Sequence, residues 1–318
     1  MQTRKLGNSA LNISVLGLGS WAIGGDIGDW GWGKQSTPQS IKVIHAALEH
    51  GINWIDTAPA YGLGNAELII AKALKQTHHK PYIFTKCGFR WREGDSELIA
   101  QLDRKSILEE VDSSLSRLSV ECIDLYQIHS PNPDSQLEEA WQTLSELQQA
   151  GKVRHIGVSN FSKQQLQRVH TIAPVTSLQP PYSLINRQVE EEVLPWCQQQ
   201  KVGVIHHSSM SHGLLTGKWS HQRIKELDQR DWRHKSHQFQ DPHFSKVLAL
   251  VDKLASLAHA KQCSIAQLCL AWTLSHPATT GTIIGARDTL QLDELLPAAN
   301  LSLSQADLAV INDYCNCL

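Results

Sequence analysis

Residues 53–62 read NWIDTAPAYG. An apolar pair, Trp54 and Ile55, ends at an acid, Asp56, and a tyrosine, Tyr61, follows in a loop that contains proline and glycine. A short apolar run of this kind predicts a buried strand. Reactive side chains just beyond it predict a site where the carboxyl end of that strand opens to solvent.

Short apolar, partly β-branched runs recur along the chain, with amphipathic segments between them. In the first such segment, Thr37 and Pro38 predict an N-cap and a first helical residue, and Gly51 predicts the end of the helix. Strands that alternate with helices predict right-handed βαβ units and a parallel sheet. The eight runs are 15–19, 53–57, 82–86, 122–129, 155–160, 177–182, 203–208 and 279–285.

The domain organisation follows from the number of these runs. A length of 318 residues alone leaves open two ordinary domains or one large domain. Eight strands without a linker favour an α/β fold, a closed (β/α)8 TIM barrel over residues 1–318, with its active site at the carboxyl ends of the strands. Two stretches interrupt the alternation, a Gly/Trp loop at 24–34 and a polar segment at 216–245, and both are predicted to form walls of a pocket.

The bulk composition is that of a globular protein, with 41% hydrophobic and 19% charged residues. A formal net charge of -2 argues against nucleic acid or an anionic membrane as a partner. No run approaches the roughly 18 apolar residues of a membrane span, and no signal peptide is evident, so we expect a cytoplasmic protein.

The seven cysteines show no paired CxxC spacing, which predicts reduced thiols. Cys315 and Cys317 could bind metal or cycle redox, but a frayed tail is favoured.

Two glycine motifs suggest nucleotide binding, and neither fits its class. Gly17, Gly19 and Ala22 match GxGxxA after a strand, but a glycine-rich loop follows where a Rossmann fold needs a helix. GLLTGKW at 213–219 has one residue too few between its glycines for a P-loop, and Trp219 stands where a serine or threonine must bind magnesium.

Sixteen histidines suggest a metal site, which the spacing does not support. The chain has no HExxH motif, and neighbouring strand residues point to opposite faces, so His206 and His207 cannot both face a barrel interior. We therefore predict no metal site.

Three consecutive predicted strands end in a reactive side chain: Asp56, Lys86 and His129. Tyr61 can fold back over the same rim. An ammonium group stabilises a phenolate and lowers its pKa, so Lys86 is predicted to activate Tyr61, with Asp56 as the counter-ion that keeps Lys86 charged. His129 can bond a substrate oxygen or share in proton movement. Taken singly, these residues also fit a structural ion pair, a loop anchor and a core histidine.

At these residues the chain resembles an aldo-keto reductase over nearly its whole length. The closest likeness is to bacterial general-stress and inositol-associated aldo-keto reductases, which are related to potassium-channel β-subunits. The motifs that carry the resemblance occur in the family's order: GLGSWAIGG (17–25), IDTAPAYG (55–62), IDLYQIHSPNP (123–133), GKVRHIGVSNFS (151–162), LQPPYSLINR (178–187), GLLTGK (213–218) and IIGAR (283–287).

The resemblance implies NADPH-dependent reduction of aldehydes or ketones to alcohols, with Tyr61 as the proton donor, Lys86 and Asp56 tuning it, and His129 orienting the carbonyl. It also implies an NADP(H) site in which one group of residues holds the nicotinamide carboxamide, one lies over the pyrophosphate and one surrounds the adenosine end. These groups are Ser159, Asn160 and Gln179; Gly213, Leu214, Thr216, Gly217 and Lys218; and Gly285, Arg287, Gln291 and Glu294.

Three positions depart from the family pattern. His207, followed by Ser208, stands where an aromatic residue usually stacks on the nicotinamide, which predicts a weaker hold on the cofactor. Ile284 replaces a common proline, and Leu295 replaces an asparagine that meets the adenine.

Arg287 offers a planar fork suited to a 2'-phosphate, which favours NADP over NAD.

Aromatic residues predict the substrate pocket: Trp21, Trp30, Trp32, Phe89 and Trp91. We expect small or aromatic aldehydes as substrates and neither exclude nor require a homo-oligomer. One rival is a Schiff-base aldolase on Lys86, which Asp56 opposes because a Schiff-base lysine must lose its proton. The other is a nucleotide-binding regulatory subunit with little turnover.

Overall fold

The computed structural model describes residues 1–25, 31–92, 94, 97–229 and 231–315. The strands are β1 (Thr3–Lys5), β2 (Asn12–Ser14), β3 (Leu16–Gly19), β4 (Trp54–Asp56), β5 (Tyr82–Cys87), β6 (Phe89–Arg90), β7 (Ile99–Ala100), β8 (Ile123–Ile128), β9 (Val153–Ser159), β10 (Ser177–Gln179), β11 (Gly203–His206) and β12 (Thr279–Ile284). The α-helices are α1 (Thr37–Glu49), α2 (Asn65–Leu74), α3 (Arg104–Leu118), α4 (Leu137–Gln149), α5 (Lys163–His170), α6 (Val193–Gln200), α7 (His221–Lys225), α8 (His243–Ala260), α9 (Ile265–Ser275), α10 (Thr289–Leu295) and α11 (Gln305–Cys315). None of the helices in the described ranges is long and apolar enough to cross a membrane.

Eight strands close into one parallel barrel, in the order β3, β4, β5, β8, β9, β10, β11 and β12. Their order around the barrel is their order in the chain, as right-handed βαβ connections require. The eight apolar runs all fall on these strands, so the predicted (β/α)8 fold is confirmed.

Large apolar side chains fill the lower half of the barrel. Trp54, Phe84, Leu125 and Ile205 point inward from four different strands and are fully buried. The Trp54 indole occupies the space that a side chain at Gly17 would need, and its Nε1 donates to the Ser14 carbonyl at 2.8 Å. Because these side chains fill the barrel below, the polar residues of the next inward-facing layer lie at the carboxyl rim.

The hairpin β1–β2 was not predicted. It places Leu6, Leu11 and Ile13 against the barrel floor, with less than 5% of each side chain exposed. Its three-residue strands are too short to show a period in the sequence, so only tertiary contact identifies them.

The first helix begins as expected, except for its cap. The Ser36 hydroxyl, not that of Thr37, accepts the hydrogen bond from the Gln39 amide, and Pro38 lies in the first turn. The cap is one residue early because Thr37 already has helical geometry, and only a residue outside the helix can turn its side chain onto the free amides.

The polar segment 216–245 is a long excursion after β11, as predicted, and it carries short helical turns. These are α7 and 3-10 turns at Trp232–His234 and His237–Phe239. Buried Trp232 and Phe239 attach the excursion to the barrel. Within the Gly/Trp loop 24–34, positions 26–30 lie outside the described residues.

Candidate active site

Asp56, Lys86 and Tyr61 meet at the carboxyl rim of the barrel. Lys86 Nζ donates to Asp56 Oδ2 at 2.7 Å, to the Thr57 carbonyl at 3.0 Å and to the Tyr61 hydroxyl at 3.4 Å. Lys86 is 0% and Asp56 2% exposed, so the ion pair is shielded from water. The sequence prediction that these three side chains lie together agrees with this geometry.

The loop after β4 brings Tyr61 back over the rim. The Tyr61 amide donates to the Ala58 carbonyl at 3.0 Å, which makes a tight turn after the strand. Gly24 lies against this turn so closely that a Cβ there would be 2.7 Å from the Tyr61 carbonyl carbon. Asn65 also donates to the Gly24 carbonyl at 2.9 Å. Two neighbouring loops therefore fix the backbone that carries the phenol.

The pKa of Tyr61 differs from the sequence prediction. Burial raises the pKa of the phenol above its ordinary value, Lys86 lowers it and Asp56 raises it, and the net change is upward. The expectation that Lys86 lowers this pKa overall is therefore wrong, because loss of water penalises the phenolate more than a partly neutralised ammonium group favours it. Tyr61 is a protonated phenol at neutral pH.

Lys86 keeps its proton. Burial lowers the pKa of its ammonium group, but the negative charge of Asp56 and the hydrogen bonds to Asp56 and Tyr61 outweigh burial, and the net pKa is raised. A lysine held as an ammonium ion lacks the free electron pair that attacks a carbonyl, which disfavours the aldolase alternative.

His129 completes the group as a neutral imidazole. Burial, followed by the positive charge of Lys86, lowers the pKa of His129 well below its ordinary value. Its ring meets the Tyr61 ring edge-on, with centroids 5.8 Å apart, and meets the Phe89 ring edge-on at 5.1 Å. A neutral imidazole beside a phenol can donate one hydrogen bond to a substrate oxygen without adding charge.

Gln179 has a contact that sequence reasoning missed. Its Nε2 donates to Asp56 Oδ1 at 2.7 Å and lies 3.5 Å from Gln127 Oε1. Gln127 points into the barrel from β8 and is fully buried. A polar residue in the middle of the apolar run CIDLYQIH was the available signal, since a glutamine is rarely buried without a polar partner.

The predicted nicotinamide residues form one connected group. The Ser159 hydroxyl donates to the Gln179 carbonyl at 2.8 Å, and Asn160 Nδ2 donates to the His129 carbonyl at 3.0 Å. His207 Nε2 lies 3.0 Å from Asn160 Oδ1, and its Nδ1 lies 2.9 Å from the Ser208 hydroxyl. Burial and the field of Lys86 lower the pKa of His207 to about 3, so its ring is neutral.

The predicted pyrophosphate segment, residues 213–218, begins at the end of a kinked turn. Ser211, His212 and Gly213 have successive φ values of 46°, 55° and 92°. Such left-handed backbone can turn amide groups to one side, as anion-binding loops do. Leu214 is buried, the Thr216 hydroxyl donates to the Gly213 carbonyl at 2.7 Å, and Gly217 has a φ of 74°. Lys218 pairs with Glu294 of α10, which joins this segment to the predicted adenosine residues.

Arg287 is engaged by the loop before α1. Its guanidinium donates to the Trp32 carbonyl, to the Lys34 carbonyl at 2.7 Å and to Gln35 Oε1 at 3.3 Å. Its backbone amide donates to Gln291 Oε1 at 3.0 Å. A 2'-phosphate at this fork would have to exchange with some of these oxygens. Beside it, Gly285 has open space at its Cβ position, and Leu295, 4% exposed, packs into the core.

The predicted pocket aromatics fall into separate groups. Trp21 and Trp32 meet with ring centroids 5.6 Å apart, and Trp232 of the excursion packs on both. Phe89 lies instead against His129. Half-buried Trp91 has no ring contact with the described residues, and Trp30 lies outside them. Trp232 could not be predicted as a pocket residue, because its segment shows no apolar period.

His206 and His207 point to opposite sides of β11, as predicted. His206 faces outward, with its ring 4.7 Å from that of Tyr182 and its Nε2 3.0 Å from the Thr279 hydroxyl. Over the described ranges, no group of three or more His, Cys, Asp or Glu side chains could hold a metal ion. Cys315 is a half-buried free thiol, and Cys317 is outside the described residues.

Comparison with known proteins places this geometry in a family. The profile of the Aldo/keto reductase family matches residues 15–315. The chain is 38% identical over 317 residues to aldo-keto reductase YhdN of Bacillus subtilis, which covers 98% of this chain and 93% of the relative. It is 32% identical over 332 residues to the NADH-specific methylglyoxal reductase of Escherichia coli, which covers 100% of this chain and 99% of the relative.

Solved structures agree with the sequence relatives. The glycerol dehydrogenase AKR11B4 of Gluconobacter oxydans superposes with a TM-score of 0.91 at 34% identity, over 98% of this chain and 94% of the dehydrogenase. The chain therefore belongs to the aldo-keto reductase family.

Proposed function

We propose that this protein reduces aldehydes and ketones to alcohols with NADPH, and that Tyr61 gives the proton to the carbonyl oxygen. The observation that carries the proposal is the Tyr61 hydroxyl, 3.4 Å from the buried Lys86 ammonium group, which is itself paired to Asp56 at 2.7 Å. A phenol that stays protonated until it meets a developing alkoxide is a suitable general acid.

Each member of the group has a distinct task in the proposal. Tyr61 donates its proton to the substrate oxygen, and the positive charge of Lys86 stabilises the phenolate that remains. Asp56 keeps Lys86 charged in a site with little water. His129, as a neutral donor beside Tyr61, holds the substrate oxygen near the phenol.

The residues of the rim fit a nicotinamide cofactor. Within the described part of the chain no group donates to Gln179 Oε1, while its nitrogen end is held by Asp56, so this oxygen can accept a bond from a carboxamide. Ser159 and Asn160 add a hydroxyl and an amide beside it. When bound, the nicotinamide supplies the hydride that reduces the carbonyl carbon.

The choice of NADPH rests on Arg287. Its guanidinium can bind a 2'-phosphate through two parallel hydrogen bonds, an interaction that NADH does not offer. The relative from Escherichia coli is by name NADH-specific, so family membership alone leaves this choice open. Measurement of both cofactors is therefore part of the test.

The substrate class follows from the walls of the rim. Trp21, Trp32 and Trp232 on one side and Phe89 on the other are apolar and aromatic, which favours small or aromatic aldehydes over charged sugar phosphates. The relatives bear the names of a methylglyoxal reductase and a glycerol dehydrogenase, both of which act on small oxygenated molecules.

The cytoplasm, a reducing compartment, suits the six free thiols among the described cysteines.

The test is the Tyr61→Phe variant in single-turnover reduction of 4-nitrobenzaldehyde by NADPH. Loss of the general acid should lower the rate by about 10²- to 10⁴-fold, while the affinity for NADPH, read from tryptophan fluorescence, stays unchanged. Tyr314→Phe, on α11, is the matched control and should behave as wild type. An unchanged rate in Tyr61→Phe would refute the proposal.

Two other outcomes would favour the rivals. Trapping of a substrate on Lys86 by borohydride would indicate a Schiff-base aldolase. Tight binding of NADPH with negligible turnover of every aldehyde would indicate a cofactor-sensing subunit.

A further inference from the structure

Glu110 is a buried carboxyl group behind the third barrel strand, and the proposed chemistry does not use it. It lies on α3, is 6% exposed, and faces the backbone just after the carboxyl end of β5. A buried carboxyl group is costly unless hydrogen bonds hold it. Its hydrogen bonds therefore identify what it holds in place.

The Glu110 carboxylate binds one buried turn of backbone. The Gly88 amide donates to Oε2 at 3.0 Å and to Oε1 at 3.3 Å, and the Ser106 hydroxyl donates to Oε1 at 3.1 Å. The Phe89 amide also stabilises the anion. Gly88 has a φ of 105°, and a Cβ there would meet Leu102 at 2.8 Å. The carboxylate thus stabilises a backbone conformation that few residues adopt.

The held peptide leads directly into the substrate side of the site. Gly88 precedes Phe89, whose ring lies edge-on to His129 with centroids 5.1 Å apart. The Gly88 carbonyl accepts from the Gln101 amide at 3.1 Å, so the hairpin β6–β7 is attached to the same residue. A shift of the Gly88 peptide would move Phe89 relative to His129.

We propose that Glu110 is a positioning residue of the substrate pocket, which holds the Gly88 peptide and thereby sets where Phe89 stands against His129. The inference rests on the proposed function, because Phe89 is then a wall of the carbonyl site. Glu110 touches neither substrate nor cofactor. Its effect is greatest for aromatic aldehydes, which contact the Phe89 ring, and small for short aliphatic ones.

The strength of this hold depends on the charge of Glu110. Burial raises the pKa of Glu110 to about 7, against the opposing effects of the Gly88 amide, the Ser106 hydroxyl and the Arg90 guanidinium. The other titratable groups that act on it are Cys87 of β5 and Tyr126 of β8, and burial raises the pKa of both well above their ordinary values, so both are uncharged. A carboxylate accepts a stronger hydrogen bond than a carboxylic acid, so the wall is firmest above neutral pH.

A nuclear magnetic resonance experiment reads the contact without any activity. Cys87–Gly88 is the one Cys-Gly step in the sequence, so carbonyl-labelled cysteine with nitrogen-labelled glycine gives a single correlated signal for the Gly88 amide. Its proton resonance should move downfield as the pH rises, with a midpoint near the pKa of about 7 for Glu110. The movement should vanish in Glu110→Gln, which keeps an acceptor oxygen but cannot ionise. No titration in the wild type, or the same titration in Glu110→Gln, would overturn the proposal.

The kinetic arm compares kcat/KM for 4-nitrobenzaldehyde with kcat/KM for propionaldehyde, because their ratio cancels the proton transfer from Tyr61 that both share. In the wild type the ratio should rise about threefold from one unit below neutral pH to one unit above it, and in Glu110→Gln it should stay flat. Glu109→Gln is the matched control, since Glu109 pairs with Arg90 at the surface at 2.9 Å.

The outcomes of the two arms separate the claims. Glu109→Gln should follow the wild type, and a flat ratio in this control would assign the effect to surface charge and overturn the role of Glu110. A flat ratio in the wild type would do the same. Absence of turnover with both aldehydes would refute the proposed function, and the Gly88 signal would still show whether Glu110 holds that peptide.

Discussion

Gln179 Nε2 donates a hydrogen bond of 2.7 Å to Asp56 Oδ1 from the opposite side of the barrel. The other carboxylate oxygen of Asp56 accepts from Lys86, also at 2.7 Å. The carboxylate is therefore fixed from two strands that are far apart in the chain. This links the residue predicted to bind the carboxamide to the group predicted to move the proton.

Gln179→Met should impair both the binding of the carboxamide and the transfer of the proton. The variant keeps the volume but removes the donor, and a hydrogen bond to a charged group contributes about 1.5–3 kcal/mol, which predicts a fall in kcat of about 10- to 100-fold. Stopped-flow reduction at saturating NADPH measures it. A residue that only binds the carboxamide would change the affinity for NADPH and leave kcat, measured at saturation, intact.

Asp56→Asn should destabilise the fold, because it leaves the Lys86 ammonium group buried without a counter-ion. Breaking such a pair costs about 3–5 kcal/mol, measured as the free energy of unfolding in urea at neutral pH. Asp112→Asn is the control, because Asp112 pairs with Lys152 at the surface with 59% of its side chain exposed. That change should cost less than about 1 kcal/mol. Equal losses in the two variants would mean that burial of the Asp56–Lys86 pair adds nothing.

Arg287→Ala should weaken binding of NADPH by about 10- to 100-fold and leave NADH almost unaffected, because only NADPH carries the 2'-phosphate. Gln35→Ala should have the opposite sign. It removes one acceptor that competes for the guanidinium, so NADPH should bind more tightly while NADH is unchanged. Parallel fluorescence titrations decide the matter. Equal effects on the two nucleotides would exclude Arg287 as the phosphate-binding residue.

His207→Tyr should tighten the binding of both nucleotides by about threefold to tenfold, because a larger ring stacks more extensively on a nicotinamide. The effect is independent of the 2'-phosphate, so the ratio of the two affinities should not change. The variant also removes the contact of His207 Nε2 with Asn160 at 3.0 Å. Weaker binding of both nucleotides would show that this contact, not the stacking area, sets the affinity.

Glu110→Gln should change how stability depends on pH. The pKa of Glu110 is raised from 4.5 to about 7 in the folded protein, so between these values the folded chain holds a proton that the unfolded chain has released. Ionisation of Glu110 therefore costs the wild type stability as the pH rises through this window, by about 3 kcal/mol in total. The variant lacks this loss, so its stability relative to wild type should rise with pH and level off above about 7. If the free energy of unfolding depended on pH in the same way in the two proteins, the raised pKa of Glu110 would be contradicted.

The barrel could be predicted because its signals are local. Each strand is a short run of consecutive apolar residues, and the helices between them show their own period and stop signals, as at Gly51. Hairpin β1–β2 lacks such a signal. Nothing in the sequence of the Gly/Trp loop or of the excursion predicts the contact between Trp32 and Trp232. Contacts between long loops depend on how the whole rim closes.

The sequence by itself determined which strand ends carry Asp56, Lys86 and His129, because parallel strands of a barrel end on one rim whatever lies between them. Only the tertiary structure decided how these groups are charged. The pKa of Tyr61 rises and that of His129 falls because burial removes water from both, and burial is a property of everything packed around a residue. The tertiary structure also decided the hydrogen-bond partners of Gln179, Arg287 and Glu110. Each of these partners lies across the barrel or in another loop.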